Sequence, residues 1–324
     1  MIAASAGAQS GVALRGQVAQ SVVRIGTRGS PLALAQAGMV RARLAASGLA
    51  AEAIELRTIR TTGDAIQDRP LAEAGGKGLF TKEIEEALIA GAIDLAVHSA
   101  KDLPTELPRG LTIAAVLPRE DPRDVFISRR ARTLRELPRG ATVGTASLRR
   151  QALVKRLRPD LAVVTFRGNV ETRLRKLDQG AVDATLLALA GLKRLGLADA
   201  ATAILDIDEF LPAVGQGIIA IEVRADDAAT RALLDHVNAA DDLTALTAER
   251  AFLTVLEGSC RTPIAGHAQV HAGRLAFRGL IAKPDGSQTF ECTREGAAAE
   301  AAALGSDAGR ELRRRAGADF FAPA

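Results

Sequence analysis

Short apolar runs that end in Gly-, Thr- and Ser-containing junctions set the rhythm of the first two-thirds of the chain. Val22-Val23-Arg24-Ile25 reads as a strand running into Gly26-Thr27-Arg28-Gly29-Ser30-Pro31, then a helix carrying Leu32, Leu34, Met39, Val40 and Leu44. Ser30 suits an N-cap and Pro31 a first helical position, so this helix start offers free N–H groups to an anion. A strand near 54–59 leads to a stretch, 61–78, whose length and glycines predict a mobile flap. The next helix is expected to turn Phe80, Ile84, Leu88 and Ile89 inward. Ile93-Asp94-Leu95-Ala96-Val97 is a near-continuous apolar strand of the buried parallel kind. It delivers His98-Ser99-Ala100-Lys101-Asp102-Leu103-Pro104 at its C-terminal end, where open α/β sheets bind ligands.

After an apolar run from Leu111 to Leu117, Pro118-Arg119-Glu120-Asp121-Pro122-Arg123 predicts a hinge or crossover, followed by a second α/β unit. In that unit Val143-Gly144-Thr145-Ala146-Ser147 echoes the junction at Ile25–Ser30, which suggests two similar lobes facing a shared cleft. A helix from Leu148 to Leu157, a strand from Leu161 to Phe166, a helix from Val170 to Leu177 and a strand from Asp183 to Leu189 follow. Val214-Gly215-Gln216-Gly217 reads as a glycine hinge before a return strand, Ile218 to Val223. Leu243 to Leu256 is helical, and residues 264–293 alternate around an Asp285-Gly286 turn typical of a hairpin. With a closing Ala-rich helix, residues 239–324 read as a small α+β domain.

At 324 residues and 48% hydrophobic content, two or three globular domains are expected. No apolar stretch reaches membrane-spanning length. Residues 1–21 hold Arg15 as their only charge and lack a secretory pattern, so a disordered extension or an early start codon is expected. Two distant cysteines give no disulfide framework, which suits a reducing cytosol. Net charge is 42 − 38 = +4, and the isoelectric point is near 9.4. Nucleic acid is disfavoured: there is no Trp or Tyr to stack bases, and no long basic run. The arginines sit at element ends beside Gly, Ser and Thr, a pattern that favours a small polyanion.

The candidate chemistry is concentrated in a few residues. Arg28, Arg149, Arg150, Arg167, Arg173 and Arg194 can grip carboxylates bidentately; Arg149 and Arg150, adjacent at a helix start, are expected to point about 100° apart, an angle that lets them grip different ones. Asp102 is either a solvent-facing partner of Lys101 or the single acid of a cationic site, able to shuttle a proton to a leaving amine. Ser30 and Ser147 read as caps and anion donors. Cys260, in Leu256-Glu257-Gly258-Ser259-Cys260-Arg261-Thr262-Pro263-Ile264, lies in a turn beside Arg261 that favours a reachable thiolate. His98 reads as a structural hydrogen-bonder and Cys292 as inert. No spacing predicts a metal site, and neither a Walker loop nor a complete Gly-x-Gly-x-x-Gly fingerprint is present.

Taken in order, these motifs resemble the porphobilinogen deaminase (hydroxymethylbilane synthase) family. They run from Arg24-Ile25-Gly26-Thr27-Arg28-Gly29-Ser30-Pro31 through Gly75-Gly76-Lys77-Gly78-Leu79-Phe80, Val97–Pro104, Arg119–Asp124, Val143–Gln151 and Phe166–Val170. Ala190–Leu195, Leu211–Gly217 and Leu256–Cys260 complete the set, covering residues 22 to about 290. The resemblance implies an α/β fold of two periplasmic-binding-protein-like lobes, residues 22–117 with 218–238 and residues 118–217, plus the small α+β C-terminal domain. It implies a dipyrromethane cofactor bound to Cys260 by a thioether, on which four porphobilinogen units are joined head to tail with loss of ammonia. Loss of the aminomethyl nitrogen leaves an electron-poor azafulvene, which Asp102 can stabilise. By resemblance Asp102 is catalytic; Lys101, Thr145, Ser147, Arg149, Arg150 and Arg194 hold the cofactor; Arg28, Ser30, Arg167 and Arg173 hold substrate; and Lys77 and Phe80 belong to the flap. A cytoplasmic monomer is expected, with porphobilinogen as its small-molecule partner, handover of product to the following enzyme, and no nucleic acid or membrane. By the same resemblance Glu73 and Ala146 stand where some members carry a lysine and a serine, a departure able to remove one anion contact at each position. The other class to weigh is a non-enzymatic receptor for a small polyanion on the same two-lobed fold.

Overall fold

The computed structural model describes residues 22–65, 78–256, 263–317 and 320. In chain order its elements are β1 (Val23–Thr27), α1 (Pro31–Ala46), β2 (Ile54–Thr58), α2 (Thr62–Ala65), α3 (Lys82–Ile89), β3 (Leu95–Ser99), β4 (Leu111–Val116) and β5 (Asp124–Ser128). There follow β6 (Thr142–Gly144), α4 (Leu148–Leu157), β7 (Ala162–Val164), α5 (Val170–Asp178), β8 (Ala184–Ala188), α6 (Leu189–Arg194), β9 (Ala203–Ile204), β10 (Ile219–Arg224) and α7 (Ala228–Asp235). The last are α8 (Ala240–Val255), β11 (Ile264–His271), β12 (Arg274–Ala282), β13 (Thr289–Ala297) and α9 (Ala301–Ala316).

Two of the sheets share one topology. Their orders are β2-β1-β3-β10-β4 and β7-β6-β8-β5-β9. In each, the strand ending at the Gly-Thr junction, β1 or β6, lies between two parallel neighbours. An antiparallel strand then separates these from the far edge. That strand is the first laid down after the chain changes sheets: β5 follows β4, and β10 follows β9. Each lobe is thus completed by a strand arriving from the other, giving two α/β lobes of like strand order joined by two crossings. The second crossing turns at Gly217 (φ +90°), where a Cβ would lie 2.2 Å from the Glu120 carbonyl oxygen of the first.

The third sheet is an antiparallel meander, β11-β12-β13, which packs against α8 and α9. Its core centres on Phe252 and Phe277, rings 5.0 Å apart; Gly279 makes room, since a Cβ there would lie 2.7 Å from the Phe252 ring. Ala265 and Leu280 of this sheet are buried with Val143, Leu153, Leu186 and Phe210, so the small α+β domain shares a core with the second lobe. The first lobe has its own core around Ile25, Leu44, Leu95, Val97 and Ile221. Burial on both faces of β3 and β8 explains their largely apolar sequences, with Thr185 of β8 and His98 of β3 buried as well.

Several local expectations need correction. Ile89 is exposed at the end of α3, because the helical repeat puts Ile84 and Leu88 on the inner face and Ile89 about 100° away from Leu88. Phe80 lies in the turn before α3 and is half-buried. Strand β5 occupies Asp124–Ser128 directly after residues read only as a hinge. The strand expected over Leu161 to Phe166 is confined to Ala162–Val164. The expected hairpin turn at Asp285-Gly286 (Gly286 φ +71°) is borne out and joins the second and third strands of the meander. The readings of residues 1–21 and of most of the flap lie outside the described residues.

Candidate active site

Strand β3 ends in a tight turn, Ala100–Asp102, that presents Lys101 and Asp102 as exposed side chains. Across from it, α4 begins at Ser147, whose hydroxyl accepts the Arg150 N–H at 3.4 Å. Thr145, itself buried, accepts the Ser147 N–H at its Oγ1 at 3.1 Å and shapes this entry. The first turn of α4 carries Arg149 and Arg150, both buried. They do not diverge. Arg149 Nη2 lies 2.7 Å from Asp124 Oδ2, and Arg150 reaches Asp124 Oδ1 through Nη2 at 2.7 Å and Nε at 3.1 Å. The long, flexible side chains overcome the angle between their Cα–Cβ bonds because Asp124, wholly buried at the head of β5, needs counter-charge. Their remaining Nη1 groups donate to the carbonyls of Leu211 at 2.8 Å and Leu186 at 2.9 Å.

The electrostatics join these groups to the opposite lobe. Burial alone would push the Asp124 carboxyl up; the charges of Arg149 and Arg150, with their hydrogen bonds, outweigh it and hold it at about 2. Lys101 is pushed down to about 8, first by the protein crowding its ammonium and then by Arg150, against the opposing pull of Asp102 and Asp124. Arg173 is pushed down to about 10 by burial and by the charges of Arg150 and Arg167, with Asp102 again pulling the other way. Its Nε donates to the Gly168 carbonyl at 2.8 Å, the glycine after Arg167 that turns the chain into α5 (φ +123°). Lys101 and Asp102 from one lobe therefore share a field with Arg149, Arg150, Arg167 and Arg173 from the other.

The remaining expected residues sit elsewhere along the cleft or outside the described residues. Arg28 lies with its guanidinium carbon 4.1 Å from the centroid of the Phe80 ring, and Ser30 caps α1, accepting the Ala33 N–H at 3.3 Å. The capped helix α1 packs against α6 of the other lobe, with Leu32 close to Gly191. Arg194, at the end of α6, turns to the second crossing, where Nη2 donates to the Gly217 carbonyl at 2.6 Å. Burial pushes it down to about 10 against the charge of Glu120. Ala146 is exposed in the turn before α4. Cys260, Lys77 and Glu73 lie outside the described residues; α8 and β11 flank the segment that holds Cys260. His98 is buried, its Nε2 3.2 Å from a carboxylate oxygen of Glu222, and Cys292 is buried beneath α9, where burial pushes its thiol up to about 11.

Two residues of the site were not singled out from sequence. Asp124 was legible in part: a carboxylate opening the apolar run Val125-Phe126-Ile127 has to meet a cation once buried. Gln216 carried no signal beyond its flanking glycines. The arrangement as a whole can bind a polycarboxylate along a cationic wall and move a proton at one exposed carboxylate, Asp102. Among the described residues, no group of three His, Cys, Asp or Glu could hold a metal ion.

Comparison with known proteins bears on what this wall binds. The family profile described as "Porphobilinogen deaminase, dipyromethane cofactor binding domain" matches residues 23–232, and that of the "Porphobilinogen deaminase, C-terminal domain" matches 243–314. A porphobilinogen deaminase of Nitrobacter hamburgensis is 66% identical over 92% of this chain and 94% of its own. One of Paracoccus denitrificans is 56% identical over 93% and 97%. A solved periplasmic substrate-binding protein of Coxiella burnetii overlays 67% of this chain and 92% of its own at 16% identity, with a TM-score of 0.42. With both of the family's domain profiles matched in order and identity this high along nearly the whole length, the chain belongs to the porphobilinogen deaminase family.

Proposed function

We propose that Asp102 and the cations facing it are where this chain joins porphobilinogen units. Family membership makes it a transferase that condenses four of them head to tail, with loss of ammonia, into hydroxymethylbilane on a covalent dipyrromethane primer. The single observation that carries the assignment of the site is the shared field across the cleft. One exposed carboxylate, Asp102, meets Lys101 of its own lobe and Arg173 of the other, and Arg150 presses on both of those cations.

The residues present fit a dipyrromethane. Two linked pyrroles bear four carboxylates, and the wall concentrates ammonium and guanidinium groups whose hold on their protons is weakened by burial and crowding. Added negative charge relieves that crowding. Arg149 Nε is also buried with no hydrogen-bond acceptor among the described residues, a donor a ligand carboxylate can satisfy. When bound, the primer supplies the carbon nucleophile that each incoming unit meets. Lys101, Arg149, Arg150, Thr145, Ser147 and Arg194 would hold it, with Cys260 as its point of attachment.

The chain's own groups supply the rest. Arg28, Ser30, Arg167 and Arg173 orient the acetate and propionate of the incoming pyrrole, so its aminomethyl nitrogen comes to Asp102. Asp102 holds a proton for that nitrogen as it leaves, and its carboxylate then offsets the positive charge left on the ring. Tethering keeps each intermediate in the cleft for the next addition. By family resemblance Phe80 and Lys77 belong to the flap. We further infer that the lobes comprise residues 22–117 with 218–238 and residues 118–217, with 239–324 as the attachment domain. The same reading has the chain acting as a monomer in the cytosol, where a free thiol persists, and passing its product to the following enzyme. Among the described residues no helix is long and apolar enough to cross a membrane.

Intact mass under denaturing conditions tests the reading. The protein should exceed its chain mass by two linked pyrrole units, and Cys260→Ser should not. A bare chain that gains no adduct on incubation with porphobilinogen would overturn it.

A further inference from the structure

Gln216 is buried in the second crossing, between Gly215 (φ +72°) and Gly217 (φ +90°). Its side-chain nitrogen donates to the Pro122 carbonyl at 2.7 Å and to Asp124 Oδ1 at 3.0 Å, both in the first crossing or at its end. Neither acceptor has a proton to give: one is a main-chain carbonyl, the other a carboxylate held at about 2 by its arginines. The amide therefore cannot turn over without setting its oxygen against two acceptors. Its Oε1 is fixed to the opposite side, where Lys101 Nζ stands 3.5 Å away. The Gln216 main chain is pinned as well. Its carbonyl accepts from Arg119 Nε at 2.9 Å, and the neighbouring Gly215 N–H donates to Glu249 at 2.6 Å.

Lys101 needs such a partner. Its ammonium carries three donors and no acceptor, and it faces the like charges of Arg149 and Arg150 as well as Asp102 and Asp124. A carboxylate at position 216 would hold it, but would also oppose Asp124. A neutral amide satisfies both sides, giving a donor to Asp124 and an acceptor to Lys101. We propose that Gln216 is a positioning residue for the reaction: by bridging the two crossings it holds the Lys101 ammonium beside Asp102, so one side chain couples the register of the lobes to the setting of the acid–base group. This rests on Asp102 being the acid–base group.

Two variants test it, each checked by intact mass for the covalent adduct. Gln216→Met keeps the length and removes both polar groups. It should retain the adduct and lose about 10- to 100-fold in kcat, the size expected for a hydrogen bond to a charged group, with KM changed less. Gln216→Glu should depend on pH in a way the parent does not. Protonated, its hydroxyl donates to Asp124 and its carbonyl accepts from Lys101, leaving only the amide's bond to the Pro122 carbonyl unmade. Ionised, it opposes Asp124 and Glu249 while attracting Lys101, Arg119, Arg149 and Arg150. Its kcat, relative to the parent's at each pH, should recover as the pH is lowered and fall as it rises. A purely structural staple would lower thermal stability while leaving kcat within about twofold and the pH profile unchanged, and that result would overturn the inference. If Gln216→Met does not fold, the pH dependence of Gln216→Glu decides alone, and a flat ratio to the parent sinks the proposal. A parent that never acquires the adduct refutes the assigned chemistry; an active parent beside a normal Gln216→Met refutes only the role of Gln216.

Discussion

Replacing Asp124 by asparagine keeps the shape of the side chain and removes the one charge that Arg149 and Arg150 share. The carboxylate is held at about 2, nearly two units below its usual value, which corresponds to roughly 2–3 kcal/mol at neutral pH. Because the folded value is depressed, that contribution is present above the ordinary carboxylate range and is lost as pH falls through about 2. The substitution removes it at every pH and also leaves two guanidinium groups buried without their counter-charge. Breaking a buried pair by deleting one partner costs about 3–5 kcal/mol, so the larger figure sets the expectation. Urea unfolding at pH 7 should show that deficit in protein made without cofactor. In cofactor-loaded protein the primer's carboxylates supply part of the missing charge, and the deficit should shrink by about 1–3 kcal/mol, the range of coupling within one charged network. A cofactor-free variant within about 1 kcal/mol of the parent would refute the claim that Asp124 anchors this wall. Equal deficits in the two forms would refute the claim that these arginines reach the cofactor.

Three further outcomes are expected. Asp102→Asn should retain the covalent adduct but lose about 10²- to 10⁴-fold in turnover; near-normal steady-state activity with the adduct present would remove Asp102 from its role. Phe80→Ala deletes the ring 4.1 Å from the Arg28 guanidinium, a contact worth about 0.5–2 kcal/mol; KM for porphobilinogen should rise by about 2- to 30-fold, and an unchanged KM would show that this stacking does not prepare Arg28 for substrate. Cys292, with its thiol pushed up to about 11 beneath α9, should not react with Ellman's reagent in native, cofactor-loaded protein until it is unfolded, and prompt release of one equivalent would contradict its burial.

What was legible in the sequence was what local chemistry decides. The Gly-Thr–Ser–helix junctions at β1 and β6 could be read because a cap and a glycine act on their own neighbours. The repeated junction pointed to two lobes, and the sheets carry it through to the same strand order. The apolar run of β3 delivered Lys101 and Asp102 to a sheet end in the same way. Long-range pairing was not legible. Helical geometry separates Arg149 from Arg150, and only the buried carboxylate of a strand hidden behind residues read as a hinge brings them together. Ile89 failed for the opposite reason, since an apolar residue at a helix end need not find a core. Gln216 had no legible role because its partners come from the other crossing and the other lobe.

On the proposed assignment of Asp102 and the cations facing it, the two crossings explain how one acid and many cations can work on a product that lengthens. Asp102 belongs to the lobe of β3, and the arginines of α4 and α5 to the other, so the site exists only while the lobes keep their register. The crossings are laced together by Glu120 N–H to the Gly217 carbonyl at 3.1 Å and by Gln216 to Pro122 and Asp124, while Arg194 of α6 ties the second lobe to the same Gly217 carbonyl. Arg119 extends the lacing into the attachment domain through its buried pair with Glu249, at 2.6 Å. Glu249, on α8, also accepts the Ala268 N–H of β11 at 2.8 Å and the Gly215 N–H of the second crossing. One carboxylate thus fastens both elements that flank the Cys260 segment to both crossings. A tetrapyrrole rooted there grows from a base tied to the hinge itself, so each added ring has to be accommodated by folding the chain within the cleft or by opening the lobes about these crossings. Under the proposed roles, folding leaves the cations to exchange carboxylates ring by ring while Asp102 stays in place, which is the arrangement a single acid repeating one step requires.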